Sequence, residues 1–149
     1  MKNKYTPPIA PNTYRTGNLI KISDPKSSNF FIKSNNSKDK LIEVFYDGHI
    51  IKNATACDRI LICDTNENIS TIELKGSDLR HAMVQIETTL IRENLKANSK
   101  KKTAVIVYSH SPSNMNSSKQ NFSDKMRKNF NAKVLFCKSG NTVNYNEIL

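Results

Sequence analysis

Hydrophobic positions along the chain come in short runs separated by polar stretches, and the runs differ in period. The clearest helical spacing is Leu79, Ala82, Met83, Ile86 and Leu90, which puts one apolar stripe on a helix from Leu79 to Leu95 with Ser77 as its cap. Before it, Cys57-Asp58-Arg59-Ile60-Leu61-Ile62-Cys63 reads as a buried strand and Ile69-Ser70-Thr71-Ile72-Glu73-Leu74-Lys75 as a second. The polar turn 64–68 joins them as a hairpin, and Gly76 ends it. After the helix, Ala97 to Lys102 is a basic loop, Thr103 to Tyr108 a buried strand, and Ser109 to Phe122 a Ser/Asn-rich loop. A short basic helix capped by Ser123 is predicted over Asp124 to Asn131, then a strand over Lys133 to Lys138 and a last strand over Thr142 to Tyr145. The order strand, strand, helix, strand, helix, strand predicts an α/β layer fold.

The first third is less regular. Residues 1–18 lack periodicity, and Pro7, Pro8 and Pro11 disfavour helix and central strand, so this stretch is read as a flexible N-terminal arm. Residues 19–149 are read as one domain. Leu19–Ile22 and Asn29–Ile32 are short strand candidates. Leu41 to Ile51 has two readings. Two strands could flank Tyr46-Asp47-Gly48, because Asp-Gly is a hairpin signal. Alternatively, Leu41, Val44 and Phe45 share one face of a helix. The β-branched Ile42 and Val44 favour strand.

Composition bounds the class. The 149 residues are 37% hydrophobic with a mean hydropathy of −0.57, enough for one core and too polar for a membrane protein. The first residues carry no apolar stretch of signal-peptide length, so the expected compartment is cytoplasmic, with no membrane partner. Cys57, Cys63 and Cys137 are odd in number and two lie in apolar runs, which predicts buried thiols and no zinc site. The net charge of +10 is uneven: residues 1–50 hold 8 basic and 4 acidic side chains, residues 51–100 hold 7 and 7, and residues 101–149 hold 8 and 2. Basic flanks around a neutral middle suit a polyanionic partner. Solubility of a lysine-rich chain accounts for the same numbers.

The candidate chemistry lies in the hairpin. Glu73 and Lys75 are two apart on a strand and share a face. Symmetric pairing about the turn sets position 58 against about 74, so Asp58 lies next to or diagonal from Glu73. Two adjacent carboxylates repel, and a hard divalent cation such as magnesium, or manganese, relieves the repulsion. Lys75 can then hold a phosphate or act on a water. Taken singly, these residues have plainer readings: a cross-strand ion pair for Glu73 and Lys75, and a surface acid for Asp58. Lys100, Lys101, Lys102, Lys125, Arg127 and Lys128, together with Lys96 and Lys119, are candidate phosphate contacts, although any single one is more often a solvated charge. Ser109-His110-Ser111 has no identifiable catalytic partner and reads as a hydroxyl-rich loop.

The order Asp58, hairpin, Glu73-Leu74-Lys75, Gly76, amphipathic helix resembles the PD-(D/E)xK nuclease superfamily. Asp58, Glu73 and Lys75 match its motif, with Cys57 where the name implies proline. The resemblance implies a restriction-endonuclease-like central mixed sheet flanked by helices, and magnesium held by Asp58, Glu73 and the Leu74 carbonyl. It also implies hydrolysis of phosphodiester bonds in nucleic acid, DNA foremost. Some branches add a Gln on the following helix, where Gln85 stands, or a Glu on the first helix, which Glu43 could supply only if 41–45 is helical. For Gln85 and His81 the plainer reading is a solvated helix face. Small nucleases of this kind often dimerise, so a homodimer or larger complex is among the expectations. The alternatives to an enzyme are a catalytically inactive nucleic-acid-binding module and a protein-interaction module on the same fold.

Overall fold

A computed structural model describes residues 4–36, 38–95, 100–111 and 113–149. Its centre is a six-stranded mixed sheet in the order β1-β4-β5-β6-β7-β8, formed by β1 (Thr13–Thr16), β4 (Lys40–Phe45), β5 (Arg59–Cys63), β6 (Ile69–Leu74), β7 (Lys102–Tyr108) and β8 (Ala132–Lys138). β1, β4, β5 and β6 pair antiparallel, whereas β6, β7 and β8 run parallel. The parallel strands are joined by crossovers through α1 (Leu79–Arg92) and α2 (Asn116–Phe130), because a parallel partner cannot be reached by a tight turn. A second sheet is formed by β2 (Leu19–Ser23), β3 (Asn29–Lys33) and β9 (Thr142–Asn144).

The period of two sorts each strand between two cores. Ile42, Val44, Ile60, Ile62, Ala104 and Ile106 face α1 and α2, and are buried with Ile86, Met126 and Phe130. Leu41, Leu61, Ile72, Leu74, Val105 and Val107 face the small sheet, with Ile20, Ile22, Phe30 and Ile32. α3 (Tyr145–Ile148) closes that second layer. The chain is therefore α/β, with helices on one face of the mixed sheet and a small sheet on the other. Among the described residues no helix is long and apolar enough to cross a membrane. Cys57, Cys63 and Cys137 are free and buried.

Several expectations change. Of the segment read as an arm, residues 4–18 pack on the domain. β1 is an edge strand of the main sheet, Tyr5 is buried, and Asn12 caps the end of β4 through Phe45 N–H at 3.1 Å. Tyr5 and Tyr46 both donate to Glu93 at 2.7 Å, which fastens the start of the chain to the end of α1. Residues 41–45 are strand, as β-branching favoured, but the Asp-Gly hairpin does not form. Tyr46 O accepts from Ile50 and Ile51 in a local turn, and β4 pairs instead with β5. The cap of α1 is Asp78, which accepts from His81 N at 3.0 Å, in place of Ser77. α2 starts at Asn116, inside the stretch read as loop. Its Ser/Asn-rich first turns hide the stripe Phe122, Met126 and Phe130, which becomes buried only against the sheet. β9 leaves the main sheet to pair with β3, a nonlocal contact that periodicity does not encode. Lys96 and residues 97–99 of the predicted basic loop lie outside the described residues.

Candidate acidic site at the end of β6

β5 and β6 pair with Arg59 opposite Ile72, and one further step sets Asp58 opposite Glu73, one residue from the symmetric expectation. The side chains cross between the strands: Asp58 Oδ2 accepts from Leu74 N–H at 2.8 Å and Glu73 Oε2 from Asp58 N–H at 3.2 Å. Lys75 Nζ stands 3.8 Å from Glu73 Oε1. The three residues thus meet where β6 ends, with Glu73 1% exposed, Asp58 half-buried and the Lys75 side chain 27% exposed.

The electrostatics are unbalanced. Burial, and next the Asp58 charge, push Glu73 up to about 9, against the pull of the Lys75 ammonium. At neutral pH Glu73 therefore holds its proton. Burial also pushes the Asp58 carboxyl up; the Leu74 N–H and the Arg59 guanidinium oppose this, and the charges of Asp24 and Asp47 add to it. Asp24 and Asp47 carry no local signal in the sequence, because they arrive from the β2–β3 and β4–β5 connections. A second carboxylate becomes favourable here once a cation sits between the two, so the donor set suits a hard divalent ion. Two features limit that fit. The Leu74 carbonyl already accepts from Ser27 Oγ at 2.8 Å, which occupies one of its lone pairs. Among the described residues no group of three or more His, Cys, Asp or Glu is arranged to hold a metal.

Gln85 is not on a solvated face. It is 7% exposed, its Nε2 donates to Ala56 O at 3.1 Å, and its Oε1 is buried with no hydrogen-bond partner among the described residues. The segment before Asp58 is further anchored by Cys57 N–H donating to Thr89 Oγ1 at 2.9 Å. Helix α1 thus positions the strand that carries Asp58. His81 is exposed. Glu43 lies in β4 on the opposite face, accepting from Arg15 at 2.6 Å and Arg59 at 3.1 Å, so it is not brought to the pair. Ser28 Oγ donates to Lys75 O at 2.6 Å, so the β2–β3 turn braces two consecutive carbonyls of the site. Ser109 Oγ and N–H both donate to Gly76 O, which gives this loop a structural role beside the site.

Apart from Lys119, which lies over Tyr108 where β7 ends beside the end of β6, the described basic candidates do not gather around the acids. In the parallel part of the sheet Ile69 aligns with Lys102 and Leu74 with Val107, so Glu73 lies at the far end of β6, whereas Lys102 starts β7, with Lys100 and Lys101 just before it, beside the start of β6. Arg127 and Lys128 are in the last turn of α2, at that same lower end. Lys125 is ion-paired with Glu87 of α1 at 2.8 Å. Lys119 lies over Tyr108 and Phe136, 5.0 and 5.4 Å from their ring centroids. Compared with known proteins, the chain matches no family model, no curated protein and no solved structure.

Proposed function

We propose that the chain is a metal-dependent nuclease, hydrolysing phosphodiester bonds in nucleic acid, DNA foremost, on a restriction-endonuclease-like sheet. The observation that carries the reading is the pair Asp58 and Glu73, opposed across two strands, with Glu73 buried beside a second acid and pushed up to about 9. A pair built that way costs stability unless it has a use, and a divalent cation is the partner that relieves it. The support for the fold is the order of elements around the pair: hairpin, Glu73-Leu74-Lys75, Gly76, amphipathic α1, then parallel β7. Bound magnesium would supply charge neutralisation at the phosphate and an acidified water. Asp58 and Glu73 would hold that ion, and the second lone pair of the Leu74 carbonyl remains for it. Lys75, partly exposed at 3.8 Å from Glu73, can reach a phosphate oxygen or take a proton from water. Cations at this end include Lys75 itself, Lys26, one residue before Ser27, Arg80 in the first turn of α1, Lys119 over Tyr108 and Lys138, which pairs with Tyr108.

A nicking assay on supercoiled plasmid, linear duplex, single-stranded DNA and RNA, with magnesium or with chelator, tests the reading. Magnesium-dependent cleavage that disappears in Glu73→Gln is expected. Cleavage that survives Glu73→Gln, or a failure to cut any of these forms, overturns it. A second reading has its own support in the Ser27 contact to Leu74 O and the lack of a third acidic or imidazole ligand among the described residues. A module that binds nucleic acid, or a protein partner, without turnover needs neither. It would bind in calorimetry and leave every substrate intact.

A further inference from the structure

The mixed sheet ends differently on its two sides. At one edge β1 is four residues long, Thr13-Tyr14-Arg15-Thr16, faces solvent and follows Pro11 closely. A short edge strand with charge and proline at hand is how native sheets avoid pairing with other chains. At the other edge β8 has seven residues, no proline, and the run Val134-Leu135-Phe136 at its middle. Those three are half-buried, whereas their partners in β7, Ala104, Val105 and Ile106, are fully buried. Val134 and Phe136 lie against the helical core and Leu135 against the small-sheet core. Both faces of β8 are therefore covered, and the open side is the edge itself.

The backbone agrees. Ser139 N–H donates to Tyr108 O at 2.7 Å, which sets the odd positions of β8 toward β7. The N–H and C=O groups of Val134 and Phe136 therefore face outward, and among the described residues β8 pairs with no strand except β7. A second β8, antiparallel about a twofold axis, meets them with Leu135 opposite Leu135 and Val134 opposite Phe136. Of the registers that parity allows, this one is centred on the apolar run. An aromatic side chain against a β-branched one is a favourable cross-strand pair. Lys133 then falls opposite Cys137 of the second copy, and Lys138 opposite its Ala132. The register one residue away, which opposes Lys133 to Lys138, sets outward groups against inward ones and makes no ladder. The strand is thus complementary to itself in hydrogen bonding, apolar contact and charge.

We propose that β8 pairs with β8 of a second copy of this chain, antiparallel about a twofold axis at Leu135, so that the six strands of each copy join in one continuous sheet. The axis stands perpendicular to the sheet, so the helices of both copies lie on the same face. The acidic pair lies on β5 and β6, inside the sheet, and the contact stands whether or not that pair is catalytic. The formal charge of +10 on each copy opposes association at long range, so pairing through backbone and apolar groups should strengthen as salt rises. A contact bridged by a polyanion would weaken.

Sedimentation equilibrium of the full chain, at low and high salt and up to roughly 100 µM, where a micromolar contact is saturated, tests the proposal. A mass of twice 16.9 kDa is expected. Leu135→Lys and Leu135→Glu each set like charges across the axis and should weaken dimerisation at least ~10-fold, with circular dichroism native. Mixed in equal amounts, the two variants should recover a dimer holding one chain of each, because position 135 opposes itself. Hydrogen exchange on the wild-type chain reads the same contact without a substitution: the outward amides of Val134 and Phe136 should exchange more slowly as protein concentration rises. A mass of 16.9 kDa throughout overturns the proposal and leaves the edge to a strand of another protein. A dimer that weakens as salt rises, a dimer undiminished in both variants, a mixture of folded variants that stays monomeric, or exchange at Val134 and Phe136 that ignores concentration overturns it as well.

Discussion

Glu43 and Glu73 are buried in the same sheet, 3% and 1% exposed, and they are solved in opposite ways. Glu43 faces the small sheet and is held by two guanidinium groups, Arg15 at 2.6 Å and Arg59 at 3.1 Å. Glu73 faces α1, has a lysine at 3.8 Å, and has Asp58 as its cross-strand neighbour. A compensated carboxylate of the first kind ties strands together: Arg15 comes from β1 and Arg59 from β5, so Glu43 joins three strands and, through Arg59 and Ser23 O, the small sheet. A carboxyl of the second kind weakens the fold at neutral pH as a charge and is tolerated as an acid. The difference separates scaffold from candidate chemistry more sharply than burial does, since burial is the same.

The largest effect expected from breaking this contrast is on activity. Glu73→Gln keeps the shape and neutrality that Glu73 has at pH 7, so the variant should unfold within about 0.5 kcal/mol of wild type. Its cleavage in magnesium should fall by at least ~10³, about 4 kcal/mol of transition-state stabilisation. Urea denaturation and the nicking assay measured on one preparation check both halves. Lys75→Ala should follow, slowing cleavage by about 10²-fold, the scale of a lost general acid or base, with divalent-metal affinity nearly unchanged because Lys75 is not a ligand. Calorimetric titration of metal into that variant checks this, and loss of metal binding by a folded protein would contradict the role given to Lys75.

How far this contrast was legible beforehand depends on the range of the contacts. The hairpin and the sharing of one end by Asp58, Glu73 and Lys75 follow from a period of two and a short turn, so they could be read locally, to within one residue of register. The strand nature of Glu43 was favoured by its β-branched neighbours, but its two arginines come from positions 15 and 59 and could not be read. Ser27 and Ser28 reach the Leu74 and Lys75 carbonyls across 47 residues, with no pattern to announce them. The basic residues were visible as charges, yet their separation from the acids is a property of parallel crossovers. Each crossover returns the chain to the starting end of the sheet, which carries Lys100, Lys101, Lys102 and Arg127 away from the end of β6.

Stability sharpens the comparison on a smaller scale. Glu43→Gln leaves two guanidinium groups without their carboxylate, and because Arg15 is partly exposed the cost should be about 2–3 kcal/mol at pH 7, below the figure for a fully buried pair. Glu73 should show itself in the pH dependence instead. Its folded pKa, about 9, lies above the ordinary carboxylate value, so between pH 5 and 9 the folded state binds more protons than the unfolded one. The stability that this proton confers is complete below the unfolded pKa and is lost as pH rises towards 9. Without metal, stability should therefore fall with pH at up to roughly 1 kcal/mol per unit across that window, and Asp58, also raised, acts with the same sign. Glu73→Gln should remove most of the slope. Urea denaturation at intervals from pH 5 to 9 in chelator checks the prediction, and an equal slope in Glu73→Gln would place the titrating group elsewhere.

The smallest effect expected is at Ser27, and it separates the two readings of the acidic site. Its hydroxyl donates to Leu74 O at 2.8 Å from the exposed β2–β3 turn, so Ser27→Ala removes one partly exposed hydrogen bond, about 0.5–1 kcal/mol of stability. The sign of its second effect depends on what the carbonyl is for. If Leu74 O is a ligand beside Asp58 and Glu73, the hydroxyl competes for its lone pairs, and removing it should tighten metal binding by about two- to fivefold, the equivalent of a competing neutral hydrogen bond. If the site is inert, the serine is only a brace between the β2–β3 turn and the end of β6, and the variant should lose stability with no gain in metal affinity. Ser28→Ala supplies the control, because its hydroxyl bonds Lys75 O, one residue beyond the implied ligand. A gain in affinity at Ser27 that is absent at Ser28 assigns the Leu74 carbonyl to the metal. Equal behaviour at the two serines assigns both to the scaffold.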